Sequence, residues 1–145
     1  MHISSVAGQV SAFAVPLYIA SKHAINGFVR SLAGLEKLGV RVNGVAPGLI
    51  KTPLWTEHPE KMQYIGERDV WITPEETAER MLECVVSDEV GPGVIWEVLK
   101  GRSRKVLERN DPGPEGEGSV ASDYVKGMEE VYGWLQTEGW GVPTK

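Results

Sequence analysis

Short β-branched runs follow long amphipathic helical segments after only a glycine or a Gly-Pro-Gly turn, and that order leaves few folds open. From Pro16 to Leu38, apolar Ile25, Phe28, Val29, Leu32 and Leu35 recur at spacings of three and four, which predicts a helix with one face packed. Lys37 lies in its last turn, and Gly39 before Val40 suits a glycine C-cap. The segment Val40-Arg41-Val42-Asn43-Gly44-Val45 then reads as a strand ended by Ala46-Pro47-Gly48. Thr73-Pro74-Glu75-Glu76 is a helix start: Thr73 can cap, Pro74 fits the first helical position and Glu76 can bond back. Ala78, Met81, Leu82 and Val85 share a face of that helix, and Gly91-Pro92-Gly93 turns into a strand from Val94 to Leu99. Met1 to Val6 reads as the end of a further strand. Strand, helix, strand, helix, strand predicts an α/β fold with a parallel sheet.

At 145 residues the chain can bury one sizeable core. A formal net charge of -5 argues against a nucleic-acid footprint, and Lys100, Arg102, Arg104 and Lys105 read as a solvated strand exit. Cys84, the only cysteine, reads as a small buried apolar residue. No metal site is expected, because His2, His23 and His58 are isolated and no Cys or His pair has ligand spacing. His58 is expected at the surface without a partner. The N-terminus lacks a signal-peptide pattern, and no run approaches the roughly 18 apolar residues of a membrane span. The expectation is therefore a soluble cytoplasmic chain with no membrane or nucleic-acid partner.

Three regions follow. Residues 1–99 form the α/β part, with a loop-rich stretch from Leu49 to Ile72 that carries Trp55, His58, Met62, Tyr64 and Trp71. Residues 100–119 read as an exposed connector, since Asn110 to Ser119 is rich in Gly, Pro and Glu. In 120–139, Tyr124, Val125, Met128, Val131, Tyr132 and Leu135 recur at helical spacing, which predicts an amphipathic helix docking on the body or on a partner subunit.

Tyr18 and Lys22 carry the chemistry. Four apart on a helix, they project from one face with Cβ atoms about 5–6 Å apart. A tyrosine is a poor acid or base at neutral pH, and a nearby cation favours its charged form, so Tyr18 could exchange a proton with a substrate hydroxyl or carbonyl. Ser5, thirteen residues earlier, could hydrogen-bond the same oxygen. On these three residues alone an alternative stays open: a core-edge tyrosine, a solvated lysine and a turn serine.

The surrounding wording resembles the short-chain dehydrogenase/reductase family, in its single-domain branch. The family's serine-rich strand end followed by Tyr-x-x-x-Lys stands here as Ile3-Ser4-Ser5-Val6-Ala7-Gly8 and Tyr18-Ile19-Ala20-Ser21-Lys22, continued by His23-Ala24-Ile25-Asn26-Gly27-Phe28. Arg41-Val42-Asn43 with Pro47-Gly48-Leu49-Ile50-Lys51-Thr52 resembles its Pro-Gly motif, and Thr73-Pro74-Glu75-Glu76 the start of its next helix. The resemblance spans about residues 1 to 99. More weakly, Asn110 to Pro114 and the tail helix resemble 15-hydroxyprostaglandin dehydrogenase-like members.

The resemblance implies a Rossmann-like doubly wound parallel sheet, of which this chain is the C-terminal half. It implies an oxidoreductase moving hydride between NAD or NADP and a small secondary alcohol or carbonyl. Tyr18 would be the acid/base and Ser5 would position the substrate oxygen. Lys22 would bond the nicotinamide ribose and ease loss of the tyrosine proton. The Pro47-Gly48 backbone would approach the nicotinamide, and Ile50 and Thr52 would contact its carboxamide and diphosphate side; the alternative for these two is a loop-start apolar anchor and a turn hydroxyl. Ser4 reads as a structural neighbour, and Trp55, Met62, Tyr64 and Trp71 as lining for a substrate lid.

The family's Thr-Gly-x-x-x-Gly-x-Gly turn, Asn-Ala-Gly strand and helix asparagine do not occur in this sequence. The expectation is that they belong upstream of Met1 and that this chain alone is marginally stable and binds NAD(P) weakly. A second reading is a catalytically silent binding or dimerisation module, pairing through the helix that bears Tyr18. An epimerase or dehydratase of the extended branch also has Tyr-x-x-x-Lys, but the Pro-Gly motif follows the single-domain branch.

Overall fold

In the computed structural model, residues 1–108 and 124–140 are described. They fall into two units, 1–107 and a C-terminal one from 108. The first contains β1 (His2–Ile3), α1 (Pro16–Ser31), β2 (Gly44–Pro47), α2 (Pro53–Thr56), α3 (Pro74–Val86), β3 (Ile95–Leu99) and β4 (Arg102–Lys105), with 3-10 helices at Val6–Gln9, Leu32–Leu38 and Pro59–Tyr64.

The sheet order is β1-β2-β3-β4, parallel from β1 to β3 and antiparallel at β4. Alternation along β2 and β3 divides the core. Val45, Trp96 and Val98 meet Ile72, Cys84 and Val90 on the face that α3 covers. Ala46 and Ile95 meet Val29, Ile25 and Val42 under α1. Helices on both faces are the doubly wound arrangement that the βαβ order predicts.

Local details depart from expectation. The first helix is α-helical only to Ser31 and tightens to 3-10 geometry over Leu32–Leu38. Gly34 disfavours continued α-helix there through its backbone entropy, and the turn at Gly93 lies against Ala33, where a glycine Cβ would come within 2.8 Å. Gly39, at φ 73°, closes the segment as expected, its N–H donating to the Glu36 carbonyl at 2.8 Å.

The strand lies at Gly44–Pro47, later than the expected Val40–Val45. Asn43 explains the shift, because its side-chain Oδ1 accepts from Val94 N–H at 3.0 Å where a ladder bond would otherwise form. Pro47 does not break the strand. Gly44 and Gly48 donate to Val94 and Val98 on the β3 side, so residue 47 faces β1, which has ended at Ile3; no donor is needed there.

The basic run is a correction too. Arg102–Lys105, expected as the beginning of a connector, pairs with β3 as β4. The two-residue link uses Gly101 at φ 66°. Residues 109–119 of that expected connector lie outside the described residues. In the second unit, α4 (Tyr124–Gln136) occupies most of the expected 120–139 helix; residues 120–123 are outside the description.

Candidate active site

Residues distant in sequence converge because parallel strands end at the same edge. β1 runs out at Ile3, so Ser4 and Ser5 follow at the C-terminal edge of the sheet, and Pro47-Gly48 leaves β2 there as well. Ligands in open α/β sheets bind outside these strand ends. A cleft of about 750 Å³ opens at this edge. Ser5, Tyr18, Lys22, Pro47, Gly48, Ile50 and Thr52, all seven candidate residues, line it.

Ser5 is buried and caps the Val6–Gln9 turn: its Oγ accepts from Ala7 N–H at 3.2 Å and faces the Pro47 carbonyl at 3.5 Å. Tyr18 is half exposed on α1. The Lys22 Nζ lies 5.5 Å from its ring centroid and donates to the Ile3 carbonyl at 3.2 Å. An ammonium has three donors, so this bond leaves others directed to the cleft. Ser4 also lines the cleft, and its buried hydroxyl donates to the Lys22 carbonyl at 3.2 Å, which ties the strand end to the helix.

The opposite wall is the chain from Pro47 to Thr52. Ile50 bridges to Ile72, with Ile72 N–H on the Leu49 carbonyl at 2.8 Å and Lys51 N–H on the Ile72 carbonyl at 3.0 Å. A Cβ at Gly48 would meet Leu99 Cδ2 at 2.9 Å, so any larger residue there would have to displace that side chain end. Of the expected lid residues, Trp55 lines the cleft and packs edge-on to Trp71, centroids 5.7 Å apart. Met62 does not line it, and the Tyr64 side chain lies outside the described residues. His58, expected without a partner, has its Nδ1 3.0 Å from Glu60 Oε1.

Asn26, Gln9 and Glu97 support the site without having been singled out from the sequence, and Arg104, read there as a solvated strand exit, joins them. Asn26, buried on α1, donates through Nδ2 to the Gly8 carbonyl at 2.9 Å. Gln9 donates to buried Glu97 at 3.0 Å, and Arg104 grips the same carboxylate at 2.8 Å through both Nε and Nη2. The turn after Ser5 is thereby tethered to α1, β3 and β4. Glu97 could have been found as an acidic residue inside an apolar strand, a position that requires a partner. Lys100 also lines the cleft, and its Nζ bonds Glu76 Oε1 at 2.6 Å. The basic run thus holds two structural ion pairs.

A fit for a nicotinamide end can be tested on this geometry. The cleft has free ammonium donors on one wall and, on the other, backbone with little side chain at Pro47-Gly48, which permits close approach of a planar ring. The residues present fit that half of the cofactor.

A family model described as short chain dehydrogenase matches residues 1–63. The 15-hydroxyprostaglandin dehydrogenase [NAD(+)] of Rattus norvegicus is 46% identical over 70 residues, 46% of this chain and 26% of that enzyme. Short-chain dehydrogenase/reductase prx6 of Penicillium rubens is 29% identical over 130 residues, 88% of this chain and 41% of that one. The solved 4-hydroxyisoleucine dehydrogenase complexed with NADH superposes with a TM-score of 0.55 at 27% identity, covering 66% of this chain and 43% of that chain. The matched parts span less than half the length of each of these relatives.

Proposed function

We propose that this chain is a member of the short-chain dehydrogenase/reductase family, which it resembles over residues 1–63, and that its cleft moves a proton on a secondary alcohol or carbonyl during NAD(P)-dependent hydride transfer. The observation that carries the proposal is the convergence of Ser5, Tyr18 and Lys22 on one cleft wall, with Pro47 to Thr52 opposite. When bound, the nicotinamide would accept or give the hydride.

The chain's own residues do the rest. The Ser5 hydroxyl, now facing the Pro47 carbonyl, rotates to donate to the substrate oxygen and fixes its place. Tyr18 takes the alcohol proton at its phenolic oxygen, or returns it to a carbonyl in the reverse direction. Lys22, braced by the Ile3 carbonyl, directs its remaining donors to the ribose hydroxyls and holds positive charge beside the tyrosine. Leu49, Ile50, Leu54, Trp55 and Val70 line the cleft with apolar surface, against which the apolar body of a substrate would pack.

The test is turnover by the purified chain with NAD and NADP on a panel of secondary alcohols. Tyr18→Phe is expected to lower the rate by about 10²–10⁴-fold; an unchanged rate would overturn the assignment.

Exposed Phe13, in the turn before α1, and Leu17, in its first turn, favour a second reading. Apolar side chains left in water there suit pairing with another copy, so the chain would act as a dimerisation module. A folded dimer without turnover supports that reading over the first.

A further inference from the structure

A carboxylate inside a core strand calls for a reason. Glu97 follows Ile95 by two residues on β3, so it shares the sheet face where Ile95 packs with Val29 and Ala46. It is only 6% exposed. Apolar side chains in place of a buried ion pair are often no less stable. Stability alone does not account for a charge there.

The partners of Glu97 lead to the cleft. Arg104 stands directly across from it in the β3–β4 register and takes both oxygens, Nε on Oε1 and Nη2 on Oε2, each at 2.8 Å. Gln9 Nε2 donates to the same Oε2 at 3.0 Å, and Gln9 Oε1 accepts from Arg104 Nη2 at 3.3 Å. The three side chains close a ring, and the bidentate ion pair fixes the direction of the amide. Gln9 is the last residue of the turn that Ser5 caps. At the other end of that turn, Ser5 Oγ accepts from Ala7 N–H at 3.2 Å and has a long contact of 3.5 Å to the Pro47 carbonyl. The turn therefore sets where the hydroxyl oxygen sits, and the weakly held proton stays available to a substrate oxygen.

We propose that Glu97 is a positioning residue for Ser5: held by Arg104 of the basic strand, it acts through Gln9 to fix the serine's turn at the cleft wall. The inference rests on the dehydrogenase reading of the cleft. It gives β4, remote from Ser5 in sequence, a part in the chemistry without any contact to substrate.

The test pairs steady-state kinetics of the full chain with backbone amide exchange followed by NMR. Glu97→Gln keeps the shape and removes the charge; Gln9→Leu cuts the link and leaves the ion pair of Glu97 with Arg104 in place. Each is expected to lower kcat about tenfold with KM changed by less than about twofold. Each should also speed exchange of the Ala7 N–H, which the Ser5 hydroxyl protects, by at least about tenfold, while the Val29 N–H in α1 keeps its rate. In a chain carrying Ser5→Ala, Glu97→Gln should change kcat by less than about twofold. The exchange readout needs no turnover. An inactive parent chain thus counts against the dehydrogenase reading, and faster Ala7 exchange in both variants still supports the tether. Unchanged Ala7 exchange, a kcat loss from Glu97→Gln that Gln9→Leu does not reproduce, or an equal loss in the Ser5→Ala chain would each overturn the inference.

Discussion

Gly8 illustrates what a single position can decide. A Cβ there would stand 2.6 Å from Asn26 Nδ2, 2.9 Å from the Lys22 carbonyl and 3.0 Å from Ser4 Oγ. The carbonyl belongs to the helix that carries the proposed acid/base and cannot give way. Gly8→Ala is expected to lower stability by about 1–3 kcal/mol, measured as a fall in the thermal midpoint. Cys84 is a second residue-scale case. Burial pushes its thiol up from the ordinary value, so the fold favours the neutral form. That contribution is complete below the thiol pKa of the unfolded chain and fades as pH rises through the folded value. Alkylation at mildly alkaline pH should therefore follow unfolding, and Cys84→Ala should flatten the alkaline decline in urea midpoint. Rapid labelling of the folded chain would contradict this.

At the scale of elements, α3 is held at both ends by residues legible as a motif. At its start Thr73 and Glu76 exchange bonds, Glu76 N–H to Thr73 Oγ1 at 3.2 Å and Thr73 N–H to Glu76 Oε2 at 2.8 Å. Thr73→Ala should cost about 1 kcal/mol, read by chemical unfolding. Glu76 has its carboxyl held low by the Lys100 bond and then by Thr73 N–H. Its stabilisation is present above the unfolded carboxyl pKa and is lost as pH falls through the folded value. Helical circular dichroism in acid titration should show Glu76→Gln less sensitive to pH than the parent chain. At the far end, Arg41 donates to the carbonyls of Val85, Ser87 and Val90, at 2.7, 2.6 and 3.1 Å, so the Arg41-Val42-Asn43 wording serves as a clamp on the helix C-terminus. Glu97 belongs to this scale as well. Glu97→Gln keeps the shape but weakens the hold of Arg104 on the turn after Ser5. It should lower kcat more than it raises KM, and the same loss in a chain already carrying Ser5→Ala would show that the effect does not pass through Ser5.

Among the described residues the sheet leaves one edge of β1 unpaired, and Ile3, Phe13, Leu17 and Phe28 are exposed. Open strand edges and apolar patches promote association, so the sedimentation coefficient should rise with concentration, and Leu17→Glu should suppress the rise. Much of this architecture was legible. The helix periodicity, the Gly39 cap, the Thr73 box and the βαβ order each rest on local chemistry, because caps and periodic faces are contained within a few consecutive residues. Strand limits were less legible: the shift of β2 to Gly44–Pro47 depends on an Asn43 side chain bonding Val94, fifty-one positions away. The fourth strand escaped notice for a similar reason, since an exposed Arg-Ser-Arg-Lys run has no apolar alternation and pairs only because β3 is beside it. By itself the sequence determined the residue kinds, Ser5, Tyr18 and Lys22 at spacings that place two of them on one helical face. Only the tertiary structure decided that these face Pro47 to Thr52 across a cleft and that the turn after Ser5 is tethered by Glu97 and Asn26. Spacing along a helix is a local quantity; which walls meet depends on where parallel strands end, and that is settled by burial on both faces of the sheet.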